Sequence, residues 1–143
     1  MLSYAETDIF TPEQVLTHHR AQVLVETLPE DPFGPERLRC HELARAVGVF
    51  LDLPFHDGRL GGVEHSWLTI GPVSDTGAII LDVYMPGALP QVQLVDNRRP
   101  GLIYNRSYEK GPPRKDIDVD QVKALVWAFK EIQAVAESEG LWP

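Results

Sequence analysis

One cysteine in 143 residues excludes an internal disulfide and any site built from several thiolates. The chain also has no apolar run near the roughly 18 residues needed to cross a bilayer, no internal repeat and no low-complexity tract. Cationic charge is scarce: 13 Lys and Arg against 21 Asp and Glu leave a net charge of −8. That balance argues against nucleic acid as a main partner, because such affinity rests on neutralising phosphates. The start, Met1-Leu2-Ser3-Tyr4-Ala5-Glu6, lacks the basic opening and apolar stretch of a secretion signal. The expected location is therefore the cytoplasm, with no membrane partner. Gly58, Gly61 and Gly62 do not have the spacing of a phosphate-binding loop, so nucleotide binding finds no support.

What is present is the composition of a globular protein, 43% hydrophobic and 24% charged. Its length suits one domain, residues 1–143, with one real core. Charge is unevenly spread. The segment Arg98–Lys115 carries Arg98, Arg99, Arg106, Lys110, Arg114 and Lys115 against Glu109 alone. It reads either as a solvated loop balancing an acidic body or as a docking patch for an acidic partner.

Helix signals open the chain. Thr11-Pro12-Glu13 predicts a start with Thr11 as N-cap, followed by Val15, Leu16, His19, Val23 and Leu24 at helical spacing to about Leu28. Pro29 to Pro35 holds three prolines in seven residues and predicts a loop. A second helix is expected from Pro35 or Glu36 to Leu51, with Leu43, Val47, Phe50 and Leu51 inward and Cys40 in its second turn. Strands are expected at Glu64–Ile70, Ala78–Tyr84, Val92–Val95 and Leu102–Tyr108, and His56-Asp57-Gly58-Arg59 reads as a turn. A last helix, capped by Asp118 and stopped by Gly140, carries Val122, Leu125, Val126, Phe129, Ile132 and Ala136 on one stripe. The order predicts an α+β fold, helices packed on one face of a small antiparallel sheet.

The two central strands form a hairpin whose register follows from its loop. If Gly71 and Thr76 flank a four-residue turn, Pro72 to Asp75, opposing residue numbers sum to 147. His65 then faces Asp82 directly, and Trp67, Ile80 and Tyr84 share their face. Ser66, Leu68, Ile70, Ile79, Leu81 and Val83 line the other, core-facing side. Taken alone, His65 and Asp82 are a cross-strand charge pair that satisfies a half-buried polar spot.

Cys40 gives that pair a third member. It lies at helical spacing from Leu43, Ala44 and Val47, the position of a buried and inert thiol. The same stripe packs onto the sheet, where a histidine can take the thiol proton and a carboxylate can orient the histidine. Arg37 and Arg39 near the helix start would favour the thiolate. The order Cys40, Ala44 in the same helix, His65-Ser66-Trp67, then Leu81-Asp82 resembles the core of the transglutaminase-like and papain-like cysteine superfamily. There a cysteine on a helix precedes a histidine on one strand, often His-x-Trp, and an Asp or Asn on the next. The resemblance covers residues 36–84. It implies Cys40 as nucleophile, His65 as base and Asp82 as its orienting partner, with no cofactor. It further implies acyl-transfer chemistry on a peptide or protein amide: proteolysis, deamidation or transamidation. Trp67 and Tyr84 are the expected substrate contacts. Two rivals stand beside this reading. One is a non-catalytic interaction or assembly module of the same fold, with Cys40 a core residue. The other is a metal site made by Cys40, His41, His65 and Asp82.

Overall fold

A computed structural model describes residues 10–28, 38–71, 78–84, 90–97, 104–105 and 114–143. The expected Pro29–Pro35 loop and the Pro72–Asp75 turn lie outside these residues, as do Arg98, Arg99, Arg106 and Lys110 of the basic segment.

Helix α1, Pro12–Thr27, starts as Thr11 and Pro12 dictate. Thr11 Oγ1 accepts from the Gln14 backbone N–H, and Gln14 Oε1 accepts from the Thr11 N–H, so two first-turn donors are satisfied reciprocally. Of the residues expected at helical spacing, Leu24 is buried and Val15 packs against the core, whereas Leu16 and His19 are exposed; His18, Ala21 and Val25 complete the buried face. The buried face is chosen by the strand beneath it, whose Val92 carbonyl lies 3.3 Å from His18 Nε2. Burial there pushes the His18 imidazole below its ordinary titration range.

Helix α2 is Cys40–Leu51, not a helix from Pro35 or Glu36. Leu38 precedes it outside any helix, and Arg39, extended at φ −111° and ψ 158°, is its N-cap. Cys40 is thus the first helical residue rather than a second-turn residue. Leu43, Ala44, Ala46 and Val47 are fully buried. The helix stops where Asp52 turns left-handed at φ 56° and the Leu53 N–H reaches the Gly48 carbonyl at 2.8 Å. Helix α3, Val119–Ser138, begins on Asp118, whose side chain accepts from the Gln121 N–H. Gly140, at φ 72°, follows its end. Its expected stripe stands: Leu125, Phe129 and Ala136 are buried, and Val122, Val126 and Ile132 pack beside them. Trp142 packs against the same core under the Arg20 guanidinium.

The sheet is antiparallel, with four main strands and a two-residue fifth: β1 Phe55–Leu60, β2 Val63–Thr69, β3 Ile79–Tyr84, β4 Pro90–Asp96 and β5 Tyr104–Asn105. Their order is β4-β3-β2-β1-β5. Helices α1 and α2 pack on it, and α3 packs on those two helices. The described core joins Leu24, Leu43, Val47, Leu68, Leu81, Val83, Leu94, Leu125 and Phe129. No described helix is long and apolar enough to cross a membrane.

Two strand readings change. Residues 56–59 are not a turn but the middle of β1, paired with β2 from Phe55↔Leu68 to Leu60↔Val63. The turn is Gly61-Gly62, at φ 57° and 85°, the left-handed pair that a two-residue hairpin requires. The β2–β3 register is also corrected. Leu68 pairs with Leu81 and Thr69 with Ile80, so opposing numbers sum to 149 rather than 147. Continued along the strands, that register sets Trp67 against Asp82 and leaves His65 diagonal to it. A shift of two preserves side-chain parity, so His65 and Asp82 keep a common face.

Candidate functional site

Cys40, His65 and Asp82 come together although helix start and register both differ from expectation. His65 Nε2 lies 2.8 Å and 3.0 Å from the two carboxylate oxygens of Asp82. Both residues are fully enclosed, His65 at 1% exposure and Asp82 at 0%. A diagonal cross-strand pair is within reach of a long side chain, which is why the changed register does not separate them. With Nε2 on the carboxylate, Nδ1 is the nitrogen free to exchange a proton with a thiol. The Cys40 Sγ lies 3.6 Å from His41 Nδ1, and His65 also acts on the thiol.

These contacts set the charge state. Burial raises the Cys40 thiol, but hydrogen bonds from His41 and His65 outweigh it and bring the pKa down to about 6. Burial likewise disfavours the His65 imidazolium. Its bonds to Asp82 and to Cys40 prevail and raise it to about 9. Thiolate and imidazolium are therefore the favoured pair near neutrality. The expected help from arginine is corrected: Arg39 is taken up by Glu42, at 2.9 Å and 2.6 Å, and by Asp116. Arg37 lies outside the described residues.

Arg39 instead anchors the end of the helix on which Cys40 stands. Glu42, fully buried, accepts both of its bonds and also the Asp118 N–H at 3.1 Å. The first turns of α2 and α3 are thereby tied together, and the Glu42 carboxyl is held below its usual range despite its burial. Arg114 reaches Glu64 and Asp116, so its charge is met within the chain.

Trp67 and Tyr84, the expected substrate contacts, lie on the strands that carry His65 and Asp82. Trp67 has no exposed surface; its ring stacks 6.2 Å from His65 and meets Tyr104 edge-on at 5.2 Å. Tyr84 packs against the core, and its backbone N–H donates to Asp82 Oδ1 at 3.1 Å.

Several residues take roles that were not foreseen. Tyr104 of β5 donates its hydroxyl to Asp82 Oδ2 at 2.6 Å. Burial and the neighbouring carboxylate push its pKa upward, so it remains a donor. On the helix side of the thiol, His41 Nδ1 lies 3.6 Å from Cys40 Sγ and 2.6 Å from Ser66 Oγ. Ser66 donates to Asp57 Oδ1 at 2.6 Å, and Asp57 is gripped by Arg45 at 3.0 Å and 2.6 Å. The adjacency Cys40-His41 and the spacing from His41 to Arg45, one helical turn, were the available signals. Asp57 was hidden by the turn reading of its strand.

Among the described residues, no group of three or more His, Cys, Asp or Glu side chains is arranged to hold a metal ion. The constellation as a whole can activate a thiol and return its proton, which is acid–base chemistry at sulfur. No family model, curated protein or solved structure matches the chain.

Proposed function

We propose that the chain is a thiol enzyme with a transglutaminase-like or papain-like core that transfers the acyl group of a peptide or protein amide through a thioester. The observation that carries this reading is Cys40 at the first position of α2, acted on by His65, an imidazole held through Nε2 by a buried carboxylate. His65 takes the thiol proton, and the thiolate attacks the amide carbonyl. The Cys40 backbone N–H belongs to the first helical turn, which has no partner within the helix, and so serves as an oxyanion donor. The imidazolium protonates the departing amine or ammonia as the C–N bond breaks. Water or a second amine, deprotonated by His65, then attacks the thioester and releases the thiol. Asp82 orients His65 throughout and needs no cofactor to do so. A free, proton-poised thiol suits the reducing cytoplasm.

The non-catalytic module has one observation in its favour, the enclosure of Cys40 and His65 at 9% and 1% exposure. Trapping separates the two. The folded protein is incubated with glutamine- and asparagine-containing peptides, quenched in acid and followed by mass spectrometry. An acyl adduct on Cys40, with release of ammonia or amine, is expected, and none in Cys40→Ser. A folded protein that forms no adduct and whose thiol resists iodoacetamide sinks the enzyme reading in favour of the module.

A further inference from the structure

We propose that His41 is a further catalytic residue, an imidazole fixed as a hydrogen-bond donor to the Cys40 sulfur by the chain Ser66–Asp57–Arg45. Asp57 is buried, bonded by both nitrogens of Arg45, and held below its usual carboxyl range in spite of burial, so it can only accept. Ser66 has one hydroxyl proton, and it goes to Asp57 Oδ1 at 2.6 Å. What Ser66 offers His41 at 2.6 Å is therefore a lone pair, and His41 Nδ1 must carry hydrogen. The same N–H lies 3.6 Å from Cys40 Sγ, so its one hydrogen is shared, with Ser66 Oγ on the short branch of a three-centre bond and the sulfur on the long one. His41 consequently cannot take the thiol proton through Nδ1; it stabilises the thiolate once His65 has taken it.

The two imidazoles at the sulfur thus have different duties. His65, held by Asp82 of β3 with Tyr104 behind it, exchanges the proton. His41, held through β2 to Asp57 of β1 and Arg45 of α2, donates without exchanging. The remaining nearby cation, Arg39, faces Glu42 and Asp116 instead. Aligned donors of this kind act where charge develops. For its catalytic meaning the assignment rests on the thiol-enzyme reading, but its test needs no substrate.

Two measurements decide it. Nitrogen-15 NMR of the wild-type protein at pH 7.5 is expected to show His41 with hydrogen on Nδ1. A His41 whose Nδ1 is bare overturns the assignment. Iodoacetamide rates against pH then separate a donor from a base. At pH 6, His41→Phe is expected to react about tenfold more slowly than wild type and equally fast at pH 10. His41→Asn, which keeps a neutral N–H donor but no titrating nitrogen, is expected to restore most of the rate. Wild-type titration in His41→Phe, or equal losses in both variants, overturns the donor role. Failure of acyl trapping with these results intact would instead remove the amide substrate and leave the two-imidazole thiolate standing.

Discussion

Tyr104 and Asp82 are joined by a 2.6 Å hydrogen bond although β1 and β2 stand between their strands in the sheet. With the Tyr84 N–H and His65, this gives the buried carboxylate donors from three directions. Tyr104→Phe removes one of them while preserving the ring that faces Trp67. The expected cost is about 1 kcal/mol of stability, that of one side-chain hydrogen bond. The freed oxygen becomes a stronger acceptor for His65, so its imidazolium should titrate higher than in wild type. Denaturant melts and histidine NMR check both; an unchanged midpoint and an unchanged His65 titration would show that Asp82 does not depend on Tyr104.

The thiol and imidazole shifts define a pH window. Cys40 is lowered from the ordinary 9.0 to about 6, because hydrogen bonds from His41 and His65 outweigh burial. Its contribution to stability is present above the ordinary thiol value and is lost as pH falls through about 6. His65 is raised from 6.5 to about 9 by Asp82 and Cys40 against burial. Its contribution is complete below 6.5 and is lost as pH rises through about 9. Acyl transfer should therefore follow a bell with limbs near 6 and 9. In Cys40→Ser the thiolate partner is gone, and His65 should titrate lower than in wild type. A His65 titration identical in both proteins would break the coupling.

Much of this arrangement was legible in the sequence, and the failures have identifiable physical causes. The hairpin of β2 and β3 shows its period-two pattern plainly, and face assignment survived because the register differs by two, an even number. Only the direct opposition of His65 and Asp82 was lost. The start of α2 was misplaced because Pro35 and Glu36 look like a first turn, while Arg39 has no side-chain cap to announce the true one. Strand β1 was hidden by turn-forming residues. Asp57 lies in a strand because Arg45 and Ser66, distant in sequence, satisfy its charge. Tyr104 and Asp82 meet only through the sheet order, which no local pattern encodes.

The Arg45–Asp57 pair yields a sharper energetic test. Both side chains are nearly enclosed, at 9% and 6% exposure. Removing one partner leaves the other charge buried without compensation, so Arg45→Met is expected to cost about 3–5 kcal/mol. The double variant Arg45→Met with Asp57→Leu should recover most of that loss in folding. It should not recover thiol reactivity at pH 6, because the Ser66 proton would no longer be drawn away from His41. Because the Asp57 carboxyl is held below its usual range, its contribution is present above the unfolded value and disappears as pH falls through the folded one. Acid unfolding of wild type and the double variant should therefore differ in slope. Additive single and double effects would refute the coupling.

Gly48 separates local propensity from packing. In the interior of a helix, replacing glycine with alanine ordinarily gains about 1 kcal/mol. Here a Cβ would stand 2.8 Å from the Leu53 carbonyl oxygen and 3.0 Å from Leu68 Cδ2. The first neighbour is backbone, pinned by the Leu53 N–H on the Gly48 carbonyl and by the left-handed Asp52. It cannot swing aside as a flexible side chain would. The second is the tip of the fully buried Leu68 side chain on the strand that carries His65, so relief in that direction repacks the core under β2. Overpacking of this kind costs about 1–3 kcal/mol, more than the propensity gain. Gly48→Ala should lower the melting temperature and, through β2, slow alkylation of Cys40 at pH 6. A higher melting temperature would mean that the Asp52–Leu53 turn yields, and that the end of α2 is not the rigid stop that fixes the helix against the sheet.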